Sequence, residues 1–144
     1  MARYNHTIDA KGRVVVPAKL RNSIGGLLHV TNSLDKGYLS GYTDEQFRAV
    51  KEQISTFNMT NPKARFLRRE IIGEAQECEL DSQGRISVAN NLWEKIGAKP
   101  GDEICFIDMF DKIEICTMAQ YEREAEQFGD LSEMDFSEFD VTGL

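Results

Sequence analysis

Asp9-Ala10-Lys11-Gly12-Arg13 and Asp81-Ser82-Gln83-Gly84-Arg85 share the frame D-x-x-G-R, 72 residues apart. Each follows a short strand-like run and precedes an apolar one. At the same offset Val16 matches Val88, Leu20 matches Leu92, and Ile24-Gly25 matches Ile96-Gly97. Beyond that point the register slips by a few residues, as loops permit. Two further strand-like runs follow in each half: Leu27 to Thr31 and Tyr38 to Tyr42, then Glu103 to Asp108 and Ile113 to Cys116. Both halves then enter a helix through a T-x-x-Q capping box, Thr43 to Gln46 and Thr117 to Gln120, with staple positions at Tyr42/Phe47 and Cys116/Tyr121. The chain is therefore an internal duplication of strand, turn, strand, short helix, two strands and capped helix.

The sequence has 144 residues and a net charge of −7. Each half has only about 50 residues before its closing helix, too few to bury a comfortable core alone, so the two should complete one shared β-core. No run approaches the roughly 18 apolar residues of a membrane span, and no apolar leader follows Met1. Cys78, Cys105 and Cys116 are odd in number and sit in strand-like runs, which fits buried reduced thiols in a cytoplasmic protein. No Cys or His pattern suggests a metal or cofactor. His6 and His29 stand alone within strands and read as satisfied sheet residues. The charge is unevenly spread: residues 1–72 hold 12 Lys/Arg and 6 Asp/Glu, residues 73–118 hold 4 and 10, and the last 26 hold 1 and 8. The positive field lies almost wholly in the first half.

Residues 1–58 form the first repeat, 59–73 a basic helix between the repeats, 74–128 the second repeat and 129–144 an acidic tail. Tyr4 to Asp9 and Arg13 to Val16 are expected to make a hairpin-like pair. Gly12 and Gly84 supply positive φ, while Asp9 and Asp81 shape the turns by bonding backbone N–H groups. Pro17 opens a short helix that Gly25-Gly26 ends. A helix from Asp44 carries Phe47, Val50, Ile54 and Phe57 at helical spacing. Asn61-Pro62 caps another, through about Ile72, with Arg65, Arg68 and Arg69 on one face. In the tail, Leu131, Met134, Phe136 and Phe139 interrupt the acidic residues. It is either a frayed solvated end or a segment that docks on a groove or competes for the basic face.

Two D-x-x-G-R turns in two strand-turn-strand-helix blocks resemble the MraZ transcriptional regulator family. Tyr4 to Arg13 followed by Val16-Pro17-Ala18-Lys19-Leu20-Arg21 is similar to its N-terminal signature. Glu77 to Asp81 with Gln83-Gly84-Arg85-Ile86 is similar to its second, and Ile113-Glu114-Ile115 to its late strand. The resemblance spans about residues 4–128. It implies an α+β fold in which two AbrB/MazE-type swapped-hairpin repeats interleave into a small mixed β-barrel with flanking helices. It also implies a nucleoid-associated, ring-shaped homo-oligomer bound to double-stranded DNA at short direct repeats upstream of the division and cell-wall gene cluster. The second half departs from the family pattern with Ala89 where Pro is expected and Trp93 where Arg is expected.

The residue chemistry suits such a role. Lys11 and Arg13 flank Gly12, so two cations project from a narrow turn. Arg donates two hydrogen bonds to guanine O6/N7, and Lys suits phosphate or guanine. Arg3, Lys19 and Arg21 add phosphate contacts, and Arg85 is the equivalent candidate in the second turn. Alternatively, each Arg pairs with the Asp of its own turn. Arg65, Arg68 and Arg69 form either a second phosphate surface or a subunit interface with the acidic half of a neighbour. Asp9 and Asp81 invite comparison with an acid dyad, but the adjacent Arg of each would keep it ionised. No phosphate loop, nucleophile elbow or zinc motif accompanies them, so an enzyme is not expected. An antitoxin-like protein-interaction module of the same fold is the remaining alternative.

Overall fold

Each half of the chain supplies four strands, and most of them find partners in the other half. The computed structural model describes residues 3–144; residues 1 and 2, where the first repeat begins, lie outside it. The first half contains β1 (Arg3–Thr7), β2 (Arg13–Val15), α1 (Ala18–Ile24), β3 (Leu27–Asn32), β4 (Tyr38–Tyr42) and α2 (Asp44–Ser55). Next comes α3 (Pro62–Arg68), which runs into a π-helical turn over Arg69–Gly73. The second half contains β5 (Gln76–Glu79), β6 (Arg85–Ser87), α4 (Asn90–Lys95), β7 (Glu103–Asp108), β8 (Ile113–Thr117) and α5 (Met118–Phe128).

Six strands form one antiparallel sheet in the order β1-β7-β8-β4-β3-β5, and β2 pairs with β6 in a separate ribbon. Among the described residues only β3/β4 and β7/β8 pair within a half; β1/β7, β5/β3, β4/β8 and β2/β6 all cross between halves. The expected hairpin of β1 with β2 therefore does not form. The two are joined by a single backbone bond, Asp9 N–H to the Arg13 carbonyl at 2.8 Å, before β2 turns away to β6. The barrel is not a closed ring of hydrogen bonds either. β1 and β5 remain the edges of an open sheet, and the ribbon packs against both.

The duplication explains the core. The offset pairs Val14/Ile86, Val16/Val88, Leu20/Leu92 and Ile24/Ile96 are all buried, together with Ile8, Leu28, Leu39, Ile104, Phe106 and Ile115. Both halves thus contribute the same positions to one apolar interior, as units this small require. A second cluster, Tyr38, Cys105 and Cys116, lies under Met118 and Tyr121 of α5. Burial pushes the thiols of Cys78 and Cys116 up to about 12.

The helix caps differ between halves. Thr43 and Gln46 complete a capping box on α2. Thr117 accepts from Gln120 N–H at 3.0 Å, but the Gln120 carboxamide accepts from Arg123 at 2.9 Å instead of reaching back. Phe57 lies past the end of α2 and is exposed. The helix expected through Ile72 widens after Arg68 into the π turn. There Thr31 donates to the Ile71 carbonyl at 2.6 Å and Asn32 to the Glu70 carbonyl at 3.0 Å, tying the turn to β3. His29 lies 2.5 Å from Asp44 through Nε2 and stacks on Phe47. In the tail, Leu131, Met134 and Phe136 fold back to line a groove of about 480 Å³ with Tyr38 and Tyr121. Among the described residues no helix is long and apolar enough to cross a membrane.

Candidate nucleic-acid interface

The two D-x-x-G-R turns have the same internal wiring. Asp9 Oδ1 accepts the N–H groups of Lys11 and Arg13, both at 2.9 Å, while its Oδ2 accepts Arg13 Nε at 2.7 Å. Asp81 accepts the N–H groups of Gln83 and Arg85 at 2.9 Å and Arg85 Nε at 2.8 Å. Gly12 at φ +77° and Gly84 at φ +75° provide the left-handed backbone that closes each loop. Both carboxylates sit below the usual range, chiefly because the backbone N–H of the turn's own arginine donates to them. An acid dyad sharing a proton is thereby ruled out: each Asp is the acceptor that organises its own turn.

The ribbon brings the two arginines onto one surface. In the β2/β6 register, Val14 lies opposite Ile86, and both point into the core. By alternation Arg13, Val15, Arg85 and Ser87 occupy the outer face. Arg13 stands opposite Ser87 and Arg85 opposite Val15, so the arginines are diagonal neighbours, about 7 to 8 Å apart at Cα. The Arg85 guanidinium also approaches Asp9 Oδ2, at 3.9 Å. Each Asp engages the Nε edge of its arginine, and among the described residues the terminal amino groups of Arg13 and Arg85 make no hydrogen bond. Pairing with Asp and availability to a ligand are therefore compatible. Lys11 and Gln83 occupy the exposed tips.

Each turn is covered by the short helix of the opposite repeat. Trp93, on α4, is buried and donates through Nε1 to the Gly12 carbonyl at 2.9 Å. Arg21, at the offset-equivalent position on α1, lies over Gly84, where an added Cβ would come within 2.3 Å of its Cζ. Arg21 Nε donates to the Val16 carbonyl at 2.7 Å. The departure from the family pattern at Trp93 therefore affects the first turn, not the second. The second turn receives Arg21 and holds two arginines.

The other sequence candidates separate. Arg3 lies at the far end of β1 and stacks over Tyr121, 4.6 Å from the ring centroid. At about 3.3 Å per residue it stands roughly 20 Å along the strand from Asp9, so the fold does not bring it to the turns. Lys19 is exposed on α1. Arg65, Arg68 and Arg69 are exposed around the end of α3, and Arg65 bonds the carbonyls of Met59 and Thr60 at 3.0 and 3.1 Å. Sequence reasoning missed Asn90 and Lys99, which the strand exchange places beside Lys11. No local signal announces them, because only the cross-repeat register makes them neighbours.

Comparison with known proteins agrees with this duplicated arrangement. Two consecutive segments, residues 1–70 and 71–142, match the family described as "MraZ protein, putative antitoxin-like". The transcriptional regulator MraZ of Lachnoclostridium phytofermentans is 40% identical over 122 residues, 85% of this chain and 84% of that protein. Its namesake in Ligilactobacillus salivarius is 34% identical, covering 98% of this chain and 99% of its own length. A solution structure from Pyrococcus horikoshii is a distant likeness, with 19% identity and a TM-score of 0.36 over 81% of this chain and 88% of that one. The paired D-x-x-G-R turns, their recurrence in both matched segments and the near full-length relatives lead to one assignment: the chain belongs to the MraZ family of transcriptional regulators.

Proposed function

We propose that this protein is a sequence-specific DNA-binding transcriptional regulator that reads DNA with the outer face of the β2/β6 ribbon and its two turns. The observation that carries this reading is the convergence of Arg13 and Arg85 on that face, each oriented by its own aspartate. A two-stranded ribbon fits the major groove, and Arg suits guanine there. A spacing of about 7 to 8 Å between the arginines corresponds to about two base-pair steps at 3.4 Å each. Holding each guanidinium in place before binding reduces the entropy lost on contact. Arg21 and Lys19 add positive charge on α1, and Lys11 at the first tip contacts phosphate or guanine.

One ribbon makes few contacts, so useful affinity calls for several copies on repeated sites, where later engagements become effectively intramolecular. The proposed targets are short direct repeats upstream of the division and cell-wall gene cluster, occupied by a nucleoid-associated, ring-shaped homo-oligomer. Arg65, Arg68 and Arg69 then face the acidic second half of the next copy, since the basic first 72 residues and the acidic remainder are complementary in a head-to-tail assembly. A salt-titrated gel shift on the DNA upstream of this gene, with size measured in parallel, tests the reading. Arg13→Ala should abolish specific retardation without changing oligomer size. Retardation equal to wild type would remove Arg13 from the interface and favour a protein-interaction module of the same fold.

A further inference from the structure

We infer that Lys99, a second-repeat residue, is a DNA-phosphate contact of the first turn, so that the head which reads DNA is built from both repeats. The inference rests on the DNA-binding reading above and adds to it a residue and a site.

A cleft of about 470 Å³ opens beside the first turn, with Lys11 on one wall and Asn90, Trp93, Glu94 and Lys99 on the other. Among the described residues neither lysine amine has a hydrogen-bond or ion-pair partner. Two exposed cations with unused donors thus share one concavity with a single carboxylate, Glu94. A backbone phosphate supplies the anionic oxygens that both lysines lack.

The placement of Lys99 is fixed by the fold. Its own N–H donates to Asp102 Oδ2 at 3.0 Å, and Asp102 N–H returns a bond to the Lys99 carbonyl at 3.0 Å. This small turn is clamped to the residue preceding Asp9. Ile8 N–H donates to the Asp102 carbonyl at 3.0 Å, and Gly101 N–H donates to the Ile8 carbonyl at 2.9 Å. On the other side Trp93 holds the Gly12 carbonyl. The first turn is therefore gripped at both ends by second-repeat segments, one of which carries Lys99. The second turn has no such lysine: the corresponding bond, Leu80 N–H to the Gly26 carbonyl at 2.9 Å, reaches a Gly25-Gly26 loop without side chains. Phosphate contact of this kind is thus specific to the first turn.

Salt-titrated fluorescence anisotropy on the full chain tests this, with a labelled duplex of the DNA upstream of the gene and a scrambled duplex of equal length. Lys99→Gln removes the charge, leaves a polar side chain and disturbs no bond, since Lys99 bonds only through its backbone. It should weaken both duplexes alike and reduce the slope of log K against log salt by about 0.9 for each subunit engaged. Lys99→Arg should restore the slope, and Glu94→Gln should tighten binding. A Lys99→Gln slope equal to wild type, while Arg13→Ala loses specific binding, overturns the inference and leaves the DNA reading standing. Wild-type binding by Arg13→Ala instead overturns the DNA reading, and this inference with it.

Discussion

Gly12 and Gly84 are equivalent in sequence and in φ, so alanine at each should incur the same backbone cost. The fold makes the two substitutions unequal. At Gly12 an added Cβ meets Trp93 Nε1 and the Val88 carbonyl at 3.6 Å, ordinary van der Waals contact. The cost there is the left-handed backbone alone, about 1 to 2 kcal/mol. At Gly84 the same Cβ falls 2.3 Å from Arg21 Cζ and 2.5 Å from its Nε. The arginine end is flexible and can swing away, but it then gives up its bond to the Val16 carbonyl. A hydrogen bond from a charged donor contributes about 1.5 to 3 kcal/mol; because Arg21 is only half-buried, about 1 to 2 kcal/mol is the expected excess for Gly84→Ala. Urea unfolding at one fixed chain concentration measures both variants. Repeating them in an Arg21→Ala background closes a double-mutant cycle, in which the excess should vanish. Equal costs in the parent chain, within about 0.5 kcal/mol, would refute the proposed covering of the second turn by Arg21. An excess that persists without Arg21 would refute it too.

Gln46→Ala should destabilise the chain by about 0.5 to 1.5 kcal/mol, because Gln46 completes the α2 box. Gln120→Ala should stay within about 0.5 kcal/mol, since its side chain does not cap; thermal melts of the two compare them directly. Asp9 and Asp81 have depressed folded values, so their contribution to stability is full above the ordinary carboxylate value near 3.8 and is lost as pH falls through the folded value. The double Asp9→Asn, Asp81→Asn variant should therefore show a flatter fall in urea midpoint between about pH 5 and about pH 2 than the parent chain.

What was legible in the sequence was whatever depends on neighbours along the chain. The offset pairs Val16/Val88 and Leu20/Leu92 announce a shared core, because burial of one predicts burial of its copy. Asp9 and Asp81 as turn formers follow from the reach of a short carboxylate to its own backbone, and α5 runs over Met118–Phe128 as its spacing predicts. Strand partners were not legible: the alternation in β1 states which face is buried but not that β7, a hundred residues on, is its neighbour. For the same reason the positions of Trp93 over the first turn and Arg21 over the second were hidden, as was Lys99 beside Lys11. Gln120 satisfies the capping-box pattern yet bonds Arg123, because a local motif competes with other partners for one carboxamide.

The crossing of the two short helices has a consequence for what the duplication permits. Two identical single-repeat chains exchanging strands in this way would have to carry the same residue at both covering positions, so neither turn could be altered without altering its twin. Joined in one chain, the positions are released from that identity. Arg21 over one turn and Trp93 over the other are that freedom in use. One covering side chain adds positive charge and the other adds apolar bulk, giving a fold of near-twofold pattern two unlike ends and therefore a direction. The direct repeats proposed above as targets also have a direction, which a molecule with two equal ends could not follow.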